Sequence, residues 1–159
     1  MIDGRSIGER VTEHIGIIGE KLDLSYYGKI DAKQVVPYIH PGNKLATLVG
    51  LNKAVDVKVG RDVAMQIAAM NPVAIDKTDV SAEMIAKEKE IGKEQARNEG
   101  KAENMLDKIA EGKLNKFFKE STLLNQDFTK DSSKTVKQYL QAVDKDLMVT
   151  GFKRFTLNQ

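Results

Sequence analysis

Two histidines, His14 and His40, are the ordinary proton shuttles available in this 159-residue chain, and no nucleophile is placed to partner either of them. Cysteine is absent, which removes thiolate nucleophiles, disulfides and cysteine-bound metals together and fits a reducing compartment. The run Gly16-Ile17-Ile18-Gly19-Glu20-Lys21 lacks the length and the closing Lys-Ser/Thr pair of a phosphate-cradling loop, so the chain itself is not expected to bind nucleotide. Carboxylates are dense at Glu83, Glu88, Glu90 and Glu94, but Lys87, Lys89, Lys93 and Arg97 are interleaved with them. That pattern makes side-by-side ion pairs on a solvated helix, whereas an acid/base pair needs a cleft that separates two pKa values. No catalytic residue, cofactor or metal site is therefore expected, and a partner-binding protein is favoured over an enzyme. His14 falls opposite the apolar stripe of its segment and reads as a surface residue. His40 opens a turn and reads either as an ordinary turn residue or as a contact.

The elements that would position these residues follow from periodicity. Ile7, Val11, Ile15 and Ile18 recur at helical steps, but Gly8, Gly16 and Gly19 weaken the helix, which should end near Gly19 and need a tertiary surface to lie on. Residues 22–51 carry strand signals, with 34–39 and 44–51 joined as a hairpin through Pro41-Gly42-Asn43. Pro37 cannot donate to a ladder and places its strand at an edge. Val59, Val63, Ile67 and Met70 mark a core-facing helix that Asn71-Pro72 stops.

From Ser81 the chain turns to Glu, Lys, Gln and Ala, with a thin apolar seam at Met84, Ile85 and Ile91. After a turn at 98–101, Met105, Leu106, Ile109, Ala110, Leu114, Phe117 and Phe118 form a wider stripe. Two helices joined so tightly should pack antiparallel as an arm over 81–120, interrupting a core formed by 1–80 and 121–159. Residues 125–128 read as a loop, and Asp131, Ser132 and Ser133 as N-cap candidates for a helix through Val136, Tyr139 and Leu140. A last strand fits 147–157. The expected class is α+β, a small antiparallel sheet packed with helices and bearing a protruding helical hairpin.

Apolar residues make up 41% of the chain, enough for one domain with a core. Charged residues are 30%, yet the net charge is only +2, so neither nucleic acid nor a membrane is an expected partner. The apolar runs are short and interrupted by charge, and no signal peptide is evident at the N-terminus, which makes the cytoplasm the expected compartment.

Several passages carry a resemblance. The stretch 62–72, Asp-Val-Ala-Met-Gln-Ile-Ala-Ala-Met-Asn-Pro, is similar to the helix-then-proline stretch of the elongation factor Ts family. Tyr38-Ile39-His40-Pro41-Gly42 resembles its Tyr-x-His turn, 110–117 its second arm helix, Ser132-Ser133-Lys134-Thr135-Val136 its Pro-Ser-Lys-Thr-Val segment, and Gly151-Phe152-Lys153-Arg154-Phe155 its last strand. These similarities run in order over nearly the whole chain. The resemblance implies a sheet-and-helix core with a coiled-coil dimerisation arm. It also implies binding to elongation factor Tu in its GDP state, with disturbance of the magnesium and phosphate pocket and faster GDP release.

By the same resemblance, the chain corresponds to the second half of the family core. His40, Pro41 and Gly42 correspond to the turn that meets the partner's C-terminal domain. Phe128, Thr129, Lys130 and Asp131 correspond to the contacting loop after the arm, with Thr129 and Lys130 standing where some relatives have more apolar residues. Ile91, Met105 and Ile109 are expected to pack within the arm or against a second copy. The family's N-terminal three-helix module, its Thr-Asp-Phe-Val wedge loop and its C-terminal helical module are expected to lie outside these residues, so that Met1 opens a fragment. A structural or oligomerisation module without exchange activity is the alternative.

Overall fold

The computed structural model describes residues 2–157. Helix α1, Ile7–Ile18, begins at a reciprocal cap in which Ser6 accepts from the Glu9 amide while the Glu9 carboxylate accepts from the Ser6 amide. It ends where expected, at Gly19, whose φ of 77° is open to glycine at little cost. The anticipated supporting surface is not supplied by the described residues. None of α1 is buried, and Ile17 and Ile18 are 74% and 53% exposed. His14 lies on the exposed side, its Nδ1 2.9 Å from the Arg10 carbonyl.

Strands β1, Gln34–Ile39, and β2, Leu45–Leu51, form the expected antiparallel hairpin, with Val36 opposite Val49 and Pro37 opposite Leu48. Strand β5, Val149–Thr156, pairs antiparallel with the other side of β2, so the order β1-β2-β5 leaves the proline strand at an edge. Helix α2, Val57–Met70, covers one face through Val59, Val63, Ala64 and Ile67. Met70, expected on that face, is instead 44% exposed. Asn71 closes the helix in the left-handed conformation at φ 44°, ahead of Pro72. No strand forms in residues 22–33. That segment runs across the opposite face of the sheet, where Ile30 and Ala32 sit over Gly50 and Tyr26 stacks on Phe155 at 6.4 Å. Covering the sheet face overrides local strand preference there.

Helices α3, Ala82–Asn98, and α4, Leu106–Ser121, form the arm around a turn at Gly100. Their antiparallel sense shows in the ion pairs Lys89–Glu111, Lys93–Asp107 and Arg97–Glu103. The buried seam consists of Gly92 and Ala96 against Leu106, Ala110 and Leu114, whereas Met84 is exposed and Ile85 half-buried. Small residues let the backbones approach. A methyl group at Gly92 would stand 3.2 Å from the Ala110 Cα. The root of the arm is tied to the core by the Val73 amide on the Ser121 carbonyl (2.8 Å) and the Leu123 amide on the Ala74 carbonyl (2.9 Å).

Beyond a tight turn at Leu123–Asn125, the anticipated loop contains a small hairpin of β3, Asp127–Phe128, and β4, Asp131–Thr135. Helix α5, Val136–Val143, is capped by Thr135 together with Gln138, not by Asp131, Ser132 or Ser133. The reason is local: the Asp131 carboxylate already accepts from the amide and hydroxyl of Ser133. One apolar cluster unites Val36, Val49, Leu51, Val63 and Ile67 with Leu123, Phe128, Val136 and Leu140, residues from both sides of the arm. Among the described residues no helix is long and apolar enough to cross a membrane.

Candidate partner-binding site

The hairpin turn at 128–131 is built from behind by α2. Asp62 and Gln66 lie one helical turn apart, and both are buried on the side of α2 that meets the hairpin. The Gln66 Oε1 accepts from the Thr129 amide at 2.8 Å, and its Nε2 donates to the Asp127 carbonyl and to Gln126 Oε1, both at 3.2 Å. Asp62 receives the Lys130 ammonium at 2.5 Å on one oxygen and the Tyr139 hydroxyl at 3.0 Å on the other.

Phe128 is 3% exposed and its ring stacks on Tyr139 at 4.2 Å, so it anchors the turn in the core. Thr129 and Lys130 are the exposed members and Asp131 is half-buried. The Lys130 side chain is 44% exposed, and its ammonium pairs with the buried Asp62 carboxylate. The Ser133 hydroxyl, then Lys134 and the Ser133 amide, hold the Asp131 carboxyl down to about 2, so it remains charged and fixed in its turn.

His40, Pro41 and Gly42 are all exposed at the β1–β2 turn, which is closed by the His40 amide on the Leu45 carbonyl (2.9 Å) and by Gly42 at φ 91°. The Tyr38 hydroxyl lies 3.0 Å from His40 Nδ1, and the two rings meet edge to face. Tyr38 and Tyr139 both pack against the cluster that contains Phe128, so the two groups of candidate residues stand on one core although they belong to different turns. Ile91 and Ile109 of the arm are half-buried, while Met105 is 49% exposed at the start of α4.

Sequence reasoning did not find Asp62, Gln66, Gln126 or Tyr139. A signal existed for the first two: polar residues at an interval of four directly beside Val63 and Ile67 interrupt a helix face that is otherwise apolar. Among the described residues no group of three or more histidines or carboxylates could hold a metal ion.

Burial of the Tyr139 hydroxyl, its donation to Asp62 and the charge of that carboxylate push its ionisation up to about 12 from 10.0. The neutral phenol is thus favoured in the folded state. The stabilisation is present below pH 10 and is lost as the pH rises through 12. Ultraviolet titration should show a phenol step near pH 12 that Tyr139→Phe abolishes, and a step surviving in the variant would contradict the contact.

Residues 1–159 match the family model described as Elongation factor TS. The chain is similar to Elongation factor Ts of Porphyromonas gingivalis, with 51% identity over 158 residues, 99% of this chain and 58% of that protein. It is similar also to that of Amoebophilus asiaticus, 56% identical over 156 residues, 96% of this chain and 56% of the relative. A third, from a Hydrogenobaculum species, is 43% identical over 156 residues, 98% of this chain and 56% of the relative. The chain therefore spans little more than half the length of these curated relatives.

Proposed function

This chain belongs to the elongation factor Ts family, and we propose that it works in cytoplasmic protein synthesis by binding elongation factor Tu in its GDP state, as part of a factor that promotes GDP release. The contact is made by the turn at His40, Pro41 and Gly42 and by the hairpin turn with Thr129 and Lys130 at its tip, Phe128 and Asp131 fixing its two sides. The observation that carries this reading is the pinning of the second turn by Gln66, Asp62 and Phe128. Fixing the turn in advance lowers the ordering cost of binding and presents Thr129 and Lys130 to the partner. No bond-making chemistry is required. Exchange of this kind acts by favouring a partner conformation that holds nucleotide poorly.

His40→Ala tests the reading with little risk to the fold, because the ring is exposed and its described partner is the Tyr38 hydroxyl. A polar contact at a buried interface centre is commonly worth more than about 1 kcal/mol. Calorimetric titration against elongation factor Tu with GDP should show roughly fivefold or greater weakening, with the thermal unfolding curve unchanged. Unaltered affinity would return His40 to an ordinary turn residue.

A second reading has the arm pair with another copy of the chain. It is favoured by a groove of about 440 Å³ on the arm lined by Ile91, Gly92, Lys113 and Phe117, and by the exposure of Met105. Concentration-dependent sedimentation together with no heat on titration into elongation factor Tu would select the structural role.

A further inference from the structure

Two buried glutamines join the end of the arm to the hairpin turn. Gln66 is 0% exposed and Gln126 1%, and neither the family match nor the surface contact assigns them a role. The hydrogen bonds form a directed chain. The Thr129 amide donates to Gln66 Oε1, Gln66 Nε2 donates to Gln126 Oε1, and Gln126 Nε2 donates to the Glu120 carbonyl at 2.9 Å. Glu120 stands in the last turn of α4, where carbonyls have no amide partner within the helix. Gln126 is also held by its main chain, its amide on the Thr122 carbonyl and its carbonyl receiving the Val136 amide.

A backbone amide can only donate, so Thr129 fixes which way the Gln66 side chain faces. That orientation fixes Gln126 in turn, since reversing either amide would set donor against donor or acceptor against acceptor between two buried side chains. The second Gln66 bond, to the Asp127 carbonyl, completes its inward side.

We infer that Gln66 and Gln126 are positioning residues for partner binding, a buried amide relay through which the seating of the arm's last turn sets the shape of the Thr129–Lys130 contact. The inference rests on the reading that this turn meets elongation factor Tu. Gln126 shows the relay most clearly, because its side chain touches Gln66 and Glu120 and not the tip of the turn.

The test compares the unmodified chain with Gln66→Met, Gln126→Met and the double variant. Methionine keeps the length and fills the space while removing both the donor and the acceptor. Two readouts are taken: hydrogen exchange of the Thr129 amide, and affinity for elongation factor Tu with GDP. Each single variant is expected to speed Thr129 exchange and to raise Kd by roughly tenfold. The double variant is expected to fall close to Gln66→Met alone, because links of one chain are not additive. If Gln66→Met does not fold, Gln126→Met carries the test, since it leaves the bond from Thr129 to Gln66 available. Unchanged Thr129 exchange and unchanged affinity in Gln126→Met would overturn the relay. Faster exchange with unchanged affinity would overturn it through the reading beneath it, by showing that the turn is not the contact.

Discussion

Gly60→Val is expected to destabilise the core by about 3 kcal/mol or more, a sizeable share of the total stability of a domain of this size. The glycine lies where α2 crosses β1, and a Cβ there would stand 2.5 Å from Val36 Cγ2 and 2.9 Å from Val36 Cβ. Val36 cannot easily withdraw. It is 3% exposed, stiff at χ1, and paired across the sheet with Val49, which is 0% exposed. Relief must come from separating α2 from β1, and that move would strain the Thr47 hydroxyl bond to the Ala64 carbonyl as well. Even Gly60→Ala should lower stability, although alanine is favoured over glycine within a helix by roughly 1 kcal/mol. Gly112→Ala supplies the contrast, because no atom lies within 4 Å of the added methyl group and the residue is an exposed part of α4. Urea unfolding should therefore move the midpoint down for Gly60→Ala and much further down for Gly60→Val, but hold or raise it for Gly112→Ala. A more stable Gly60→Ala would show that the helix and strand have slack that their geometry denies.

That pair of glycines shows what was legible in the sequence. Local signals marked the ends of elements: Gly19 closing α1, Pro41-Gly42-Asn43 joining β1 to β2, and Asn71-Pro72 stopping α2. The proline in β1 also placed that strand at an edge. What escaped depends on residues far apart in the chain. Nothing near Phe128 says that Tyr139 will receive its ring, and nothing near Gly92 says that Ala110 will lie against it. Asp131 looked like a helix cap because Ser and Asp favour that position, but its carboxylate was taken up by Ser133 two residues on, and Thr135 served instead. The strand signals of 22–33 gave way because the face over Gly50 and Gly151 needed covering. The family was legible because its motifs are spread in order along the chain, whereas the support of the proposed contact turn lies in Asp62, Gln66 and Gln126, whose arrangement exists only after folding.

These 159 residues are expected to bind elongation factor Tu with GDP and yet to accelerate GDP release by only a small fraction of what a full-length factor achieves. On the proposed reading, binding and exchange depend on different surfaces. The turns around His40 and Thr129 are present, but no Thr-Asp-Phe-Val run, the loop that the family resemblance implies as the wedge into the nucleotide domain, occurs among these residues. A ligand shifts an equilibrium only through contacts that differ between its two states, so docking on a surface common to the nucleotide-bound and released forms leaves the nucleotide where it is. An excess of the chain should then occupy the surface that a full-length factor needs and slow exchange by that factor, by tenfold or more once its concentration exceeds roughly ten times its own Kd.

Stopped-flow release of a fluorescent GDP from elongation factor Tu tests the account most directly, with the chain alone, a full-length elongation factor Ts alone, and the two together. The account predicts little acceleration by the chain alone and a dose-dependent slowing of the full-length factor, relieved when the chain carries His40→Ala. Acceleration equal to that of the full-length factor, or no competition at any concentration, would contradict it.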